Sequence, residues 1–237
     1  MITYASLTKP GDRAVNEDSV FVYGEGDRSL FALADGLGGH GRGEVASKLV
    51  IKRCFEVFKD NGTPEQCFWE AQKSLLEEQE RLRASGEMKT TLTLVVTNGN
   101  TAQWGHIGDS RIYRFYDDKL VGRTIDHSVP QMLVMAGQIR EKDIRHHEDR
   151  NRLLRVMGTE WDNQAFELSE ETKLRSGDSF LLCSDGFWEW IVEKQMCKLL
   201  KIAGNPEKWL SLMETEVLKN GTGKNMDNYS AVAVSVR

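Results

Sequence analysis

The sequence predicts an α+β fold of antiparallel sheets with helices packed outside them. Three observations carry that expectation. Short β-like runs follow one another closely and are joined by turn residues. Pairs of amphipathic helical segments interrupt those runs twice. The strict βαβα alternation that builds a parallel sheet is missing.

The elements can be taken in chain order. Val20 to Tyr23 and Ser29 to Ala34 are the first β-like runs, the second ending as LFALA in front of an Asp. From Glu44 to Phe58 the positions Val45, Leu49, Phe55 and Phe58 recur at helical spacing, and from Pro64 to Arg83 Phe68, Ala71, Leu75 and Leu82 do the same. Thr91 to Thr97 and Thr101 to Ile107 flank Asn98-Gly99-Asn100, a hairpin signal. Arg111 to Phe115 adds a further strand, and the charged run REKDIRHHEDRNR, from Arg140 to Arg152, reads as a solvated helix or loop. After the strand Ser179 to Ser184, two more helices are expected at Glu189 to Ile202 and Pro206 to Leu218. Gly204 and Gly221 act as stops and Pro206 as a start. Tyr229 to Val236 closes the sheet.

Composition limits the function classes. A chain of 237 residues with 40% apolar and 28% charged residues can bury a sizeable core, and no linker divides it, so one domain over 1–237 is expected. A net charge of -5 provides no basic footprint for nucleic acid. No stretch approaches the ~18 apolar residues of a membrane span, and Met1 leads directly into polar sequence; a soluble, cytoplasmic protein is expected. Cys54, Cys67, Cys183 and Cys197 form no CxxC pair and read as reduced thiols rather than a zinc site or disulfide framework.

The informative feature is a recurrence of acids where apolar runs end. Asp35 follows LFALA, Asp109 follows WGHIG, Asp185 follows FLLCS, and Asp227 precedes NYSAVAVSV. One such acid is ordinary, because Asp commonly starts turns. Four on a shared rim would repel one another and raise each other's pKa, a cost that a divalent cation removes. An oxygen-only ligand set favours Mg²⁺ or Mn²⁺ over zinc or copper. Five glycines within residues 36–43 then let something approach the backbone closely. In the stretch GDRAVNEDS, Glu17 and Asp18 would point to opposite faces of an extended chain. Arg13, four residues before Glu17, would share its face, setting a phosphate-binding fork beside a metal-binding carboxylate.

The segments RAVNED (Arg13 to Asp18), ADGLGGHGRGEVAS (Ala34 to Ser47), GDSRIY (Gly108 to Tyr113), DHS (Asp126 to Ser128), SDGFWEW (Ser184 to Trp190) and DNYS (Asp227 to Ser230) together resemble a known motif set. It is that of the PP2C-type metal-dependent Ser/Thr protein phosphatases in their compact bacterial form. The resemblance implies a four-layer α-β-β-α sandwich of two antiparallel sheets flanked by helix pairs, with a mobile flap over about residues 117–158. It implies two core Mn²⁺ or Mg²⁺ ions bridged by Asp35. Asp185 and Asp227 would complete the first, and Glu17 with the Gly36 carbonyl would hold the second. Asp109, with Asp185, would hold a third, weaker ion. Asp18 would orient metal-bound water, and Arg13 would hold the substrate phosphate, so that a metal-bridging water or hydroxide hydrolyses phospho-Ser or phospho-Thr. The partners implied are phosphorylated proteins, a cognate Ser/Thr kinase or its substrates among them, met by a monomer.

Several positions depart from that pattern or are ambiguous. Leu37 stands where some members carry a His assigned as general acid, and His40 reads as a helix cap rather than its replacement. Lys89 replaces a Gly before Thr90-Thr91, and Glu148 stands where Pro is common. His146 and His147 are surface residues or phosphopeptide contacts; Asp126 and His127 stabilise the base of the flap; Trp188 and Trp190 pack the core. Two other functions stay open: a catalytically silent phosphoprotein-binding regulator, and a two-metal hydrolase of other phosphate esters.

Overall fold

A computed structural model describes residues 1–38, 41–84 and 86–237. The reading of His40 falls outside the described residues. Two antiparallel sheets stack at the centre. The first runs β1 (Ile2–Lys9), β11 (Tyr229–Val236), β10 (Asp178–Cys183), β6 (Arg111–Tyr116) and β7 (Lys119–Arg123). The second runs β2 (Ser19–Glu25), β3 (Arg28–Ala34), β4 (Leu92–Asn98), β5 (Thr101–Ile107) and β8 (Glu167–Leu168), with β9 (Thr172–Lys173) also pairing β5.

Strand alternation explains the layering. Along β3, Phe31 and Leu33 point to the space between the sheets, while Leu30, Ala32 and Ala34 point to the outer face. On β10 and β11, Phe180, Leu182, Val232 and Val234 enter the same space from the other side. Burial of both faces is why these strands read as unbroken apolar runs rather than alternating ones. Each fully buried Phe or Leu contributes about 1.5–3 kcal/mol.

Helices α1 (Gly43–Lys59) and α2 (Pro64–Leu82) cover the second sheet through Val50, Cys54, Phe68, Ala71 and Leu75. Thr63 and Gln66 form a capping box that starts α2, with Pro64 at its first position. Helices α5 (Glu193–Ala203) and α6 (Pro206–Gly221) cover the first sheet through Met196, Leu199, Trp209, Met213 and Val217. Asn205 caps α6 by accepting from the Lys208 amide at 2.7 Å. The four-layer sandwich is therefore present. Among the described residues no helix is long and apolar enough to cross a membrane.

Some expectations are corrected. The helix expected from Glu189 begins at Glu193, because Asp185–Trp188 forms its own short turn, α4, and Ile191 then packs into the core. Strands β1, β7, β8 and β9 had no sequence signal: they lie at sheet edges, where little burial is needed to hold a strand. The region 117–158 holds β7, helix α3 (Val129–Met135) and a 3-10 turn over Glu141–His146.

Candidate active site

Asp35 follows β3, Asp109 links β5 to β6, Asp185 follows β10, and Asp227 precedes β11. All four line one cavity of about 710 Å³, together with Glu17, Arg13 and the Gly36 backbone. Among the described residues, five carboxylates thus face it against two cations, Arg13 and Lys89. Residues Asn151, Leu153, Leu154 and Val156, from the region 117–158, form another wall.

The chain fixes each acid through its own backbone. The Asp35 amide donates to Thr91 Oγ1 at 3.0 Å, and its carbonyl accepts from the Thr91 amide at 2.9 Å and Thr90 Oγ1 at 2.8 Å. Glu17 is held at both ends of its peptide: its amide donates to Asn228 Oδ1 at 2.8 Å, and its carbonyl accepts from Ser47 Oγ at 2.6 Å. The glycines are required for this approach. A Cβ on Gly36 would fall 2.4 Å from the Gly43 carbonyl oxygen, and one on Gly38 would fall 1.8 Å from Glu17 Oε2. Glu17 is partly buried, and Asp18 is buried deeper in the protein.

Arg13 departs from expectation. It lies on a turn, with Gly11 at φ +58°, rather than on an extended segment shared with Glu17. Its guanidinium forks onto Asp227, Nε to Oδ1 at 3.0 Å and Nη2 to Oδ2 at 2.9 Å. A carboxylate offers about four lone-pair directions, so this fork does not exhaust Asp227. Arg13 stays substantially open to the cavity.

Burial and mutual repulsion govern the charges. Burial first, then Asp18, Asp185, Asp109 and Asp227, hold Asp35 well above the ordinary carboxyl range. Burial raises Asp109 as well, with Asp185 the next contributor. Asp185 is pushed up to about 6, by burial and then by Asp227, and Asp18 up to about 7, mainly by burial. A carboxyl whose folded-state pKa lies above its unfolded value favours the fold while it is protonated. For these groups that contribution is complete below about pH 4 and is lost as pH rises through the folded values. The metal-free protein is accordingly expected to melt at progressively lower temperature as pH rises from about 4 to about 7. Added Mn²⁺ should reverse the trend at the upper end, and a thermal melt series in chelator and in Mn²⁺ checks both signs. A chelated protein whose stability rises across that range would contradict the account.

The donor set suits a hard divalent cation. Every ligand atom is oxygen, the clustered acids repel one another, and Asp18 Oδ1 is buried with no hydrogen-bond partner among the described residues while Oδ2 accepts from Ser184 Oγ at 2.8 Å. A separate trio, His106, His127 and Glu167, also has ligand atoms within 4.8 Å of one another. His127 Nδ1 accepts the Gly108 amide at 3.2 Å, which assigns the ring proton to Nε2, facing Glu167 Oε1 at 3.4 Å. That proton occupies the direction a metal would need. Burial and the neighbouring His106 lower His127 to about 4, so the ring is neutral and ties the Asp109 loop to the base of the region 117–158.

Other supports carried weaker sequence signals. Trp188 is buried as expected, and its indole N–H donates to the Asp109 carbonyl at 3.0 Å. Arg111 lies 3.5 Å from the Trp188 ring centroid and forks onto buried Asp126 at 2.8 and 2.6 Å. Trp190 is partly buried and packs against the same core cluster as Trp188, and it also lines a pocket next to the cavity, as does exposed His146. Sequence reasoning missed Asn228, whose amide group also donates to the Pro10 and Val15 carbonyls, and Arg145, Arg150 and Lys224 beside the site. Asn228 stood within the quoted DNYS segment, and that was the available clue.

The family model described as protein phosphatase 2C matches residues 11–213 of this chain. The serine/threonine protein phosphatase PstP of Mycobacterium tuberculosis is 33% identical over 243 residues, covering 100% of this chain and 45% of that protein. The chain thus spans less than half the length of that relative. The serine/threonine phosphatase stp of Listeria innocua is 30% identical over 197 residues, covering 78% of this chain and 77% of that protein. Among solved structures, the catalytic domain of serine threonine protein phosphatase PstP in complex with two manganese ions matches with a TM-score of 0.81 and 30% identity. That match covers 99% of this chain and 97% of the other.

Proposed function

Because this chain belongs to the protein phosphatase 2C family, we propose that it is a metal-dependent protein serine/threonine phosphatase. One observation carries the reading: five carboxylates from distant parts of the chain line a single cavity, with the orphaned oxygen of Asp18 beside them. Asp35 would sit between two Mn²⁺ or Mg²⁺ ions, Asp185 and Asp227 would hold one, and Glu17 with the Gly36 carbonyl the other. Asp109 with Asp185 would take a weaker third. When bound, such ions supply Lewis acidity, cancelling the clustered negative charge and making water a competent nucleophile at neutral pH.

The chain's own residues do the rest. Arg13, pre-oriented by its fork onto Asp227, presents its remaining N–H groups to the phosphoryl oxygens and stabilises charge gathering there. Asp18 does not itself line the cavity; its Oδ1, whose companion Oδ2 is fixed by Ser184, would be the acceptor that orients a water held by the lining acids. Leu37 lines the cavity and offers no proton, and no histidine stands among its described lining residues. The substrates proposed are cytoplasmic phosphoproteins, a cognate Ser/Thr kinase or its targets among them.

A substrate panel with the Mn²⁺-loaded protein tests the assignment. Hydrolysis of a phosphothreonine peptide that stops on chelation is the expected result. Turnover confined to phosphodiesters would replace it with the two-metal hydrolase, and peptide binding without any turnover with the silent regulator.

A further inference from the structure

A second pocket of about 370 Å³ adjoins the catalytic cavity and shares Arg13, Asn151, Asp185 and Asp227 with it. Its other walls come from three separate stretches: Arg145, His146 and Arg150 beyond α3, Glu189 and Trp190 after α4, and Lys224 with Asn225 before β11. Four fixed cations therefore face it: Arg13, Arg145, Arg150 and Lys224. Of the three acids, Asp185 and Asp227 belong to the proposed metal site, and Glu189 is matched by Arg150 at 3.1 Å.

Two of these cations have donors to spare. The Arg145 side chain is 9% exposed; its Nη2 meets Glu193 Oε1 at 2.6 Å, and its guanidinium lies 5.3 Å from the Trp188 ring centroid. Its Nη1 is buried with no hydrogen-bond partner among the described residues. Nη1 has almost no accessible surface, so a ligand oxygen meets it only when the Arg145 side chain turns toward the pocket that it lines, and the unmade bond favours that turn. Lys224 is exposed, with Nζ 5.4 Å from the Trp190 ring centroid, and has no carboxylate within ion-pair distance among the described residues.

We propose that this pocket is an anion subsite that receives a second phosphate borne by the same substrate segment, making multiply phosphorylated segments the preferred substrates. The proposal rests on the phosphatase reading above. A phosphate carries nearly two charges and three strong acceptor oxygens, enough to engage Lys224 Nζ together with a guanidinium of the same pocket wall. An Asp or Glu side chain shares the chemistry with less charge and fewer acceptors.

The test uses the Mn²⁺-loaded protein and phosphothreonine peptides of one sequence. Each carries Ser, Asp or phosphoserine at positions within about three residues on either side, a reach set by the ~3.3 Å rise of extended chain. Both kcat/KM and the Kd of a non-hydrolysable phosphonate analogue are measured. At the best position the second phosphate should improve both by about tenfold, the equivalent of one charge-assisted hydrogen bond, and Asp by clearly less. Lys224→Glu, at an exposed site, should remove most of that gain; Arg145→Met adds a second probe if its thermal melt shows it folded. Equal values for singly and doubly phosphorylated peptides, or a gain untouched by Lys224→Glu, overturn the subsite. A full gain from Asp reassigns the pocket to acidic side chains and overturns the second phosphate. If no peptide is hydrolysed, the phosphatase reading fails while the analogue Kd values still decide the subsite.

Discussion

Asp35→Asn is expected to lower kcat/KM for a phosphothreonine peptide by at least about a thousandfold, the equivalent of about 4 kcal/mol of barrier. The same substitution should raise the melting temperature of the metal-free protein near neutral pH. The two effects have one origin. Burial first, and then repulsion by Asp18, Asp185, Asp109 and Asp227, disfavours the Asp35 charge, so removing it relieves the metal-free protein and deprives a cation of its central ligand. Its backbone is held independently by Thr90 and Thr91, so the loop keeps its place. Mn²⁺ at about a hundredfold excess over Kd should stabilise the parent protein by about 2.7 kcal/mol, or about 5–10 °C in a chain of this size, and the variant by much less. A variant that keeps both its turnover and its Mn²⁺-dependent shift would refute the role assigned to Asp35.

Asp126→Ala should be the most damaging single change outside the cavity. Asp126 and Arg111 have side chains 1% and 3% exposed, so truncating the acid leaves the buried guanidinium only the Tyr113 hydroxyl at 3.0 Å and Glu193 at 3.9 Å. Removing one partner of such a pair costs about 3–5 kcal/mol, which corresponds here to a fall of about 6–20 °C in Tm. Activity should fall as well, because Arg111 stacks on Trp188 and the Trp188 indole holds the Asp109 carbonyl. Replacing both partners with apolar residues, Arg111→Met with Asp126→Leu, should recover most of the stability. Retained Tm in Asp126→Ala would show that the pair is not the anchor inferred here.

The fold was legible where burial wrote it into the chain. β3, β10 and β11 are covered on both faces, so their apolar runs are continuous and their identity as strands was plain. The edge strands β1 and β7 are half open to solvent and carried no comparable signal. The start of α5 was misplaced because the apolar residues Trp188, Trp190 and Ile191 mimic a helical stripe across the turn that separates α4 from α5. In the site, the acids stood out one by one at strand ends. Their helpers, such as Asn228 under Glu17, did not, since a side-chain amide in a loop has many ordinary uses.

The sequence by itself determined the chemistry available: oxygen ligands only, a run of glycines permitting close approach, and an arginine near the acids. Side-chain type fixes these properties wherever the chain goes. Only the tertiary structure decided which groups meet. Arg13 grips Asp227, 214 positions away, rather than Glu17, four positions away. Ser184 takes one oxygen of Asp18 and leaves the other bare, and Arg145 and Lys224 line one pocket beside the cavity. Each of these pairings depends on how two sheets stack and where their strands end, a property of the whole packed core that no local stretch encodes.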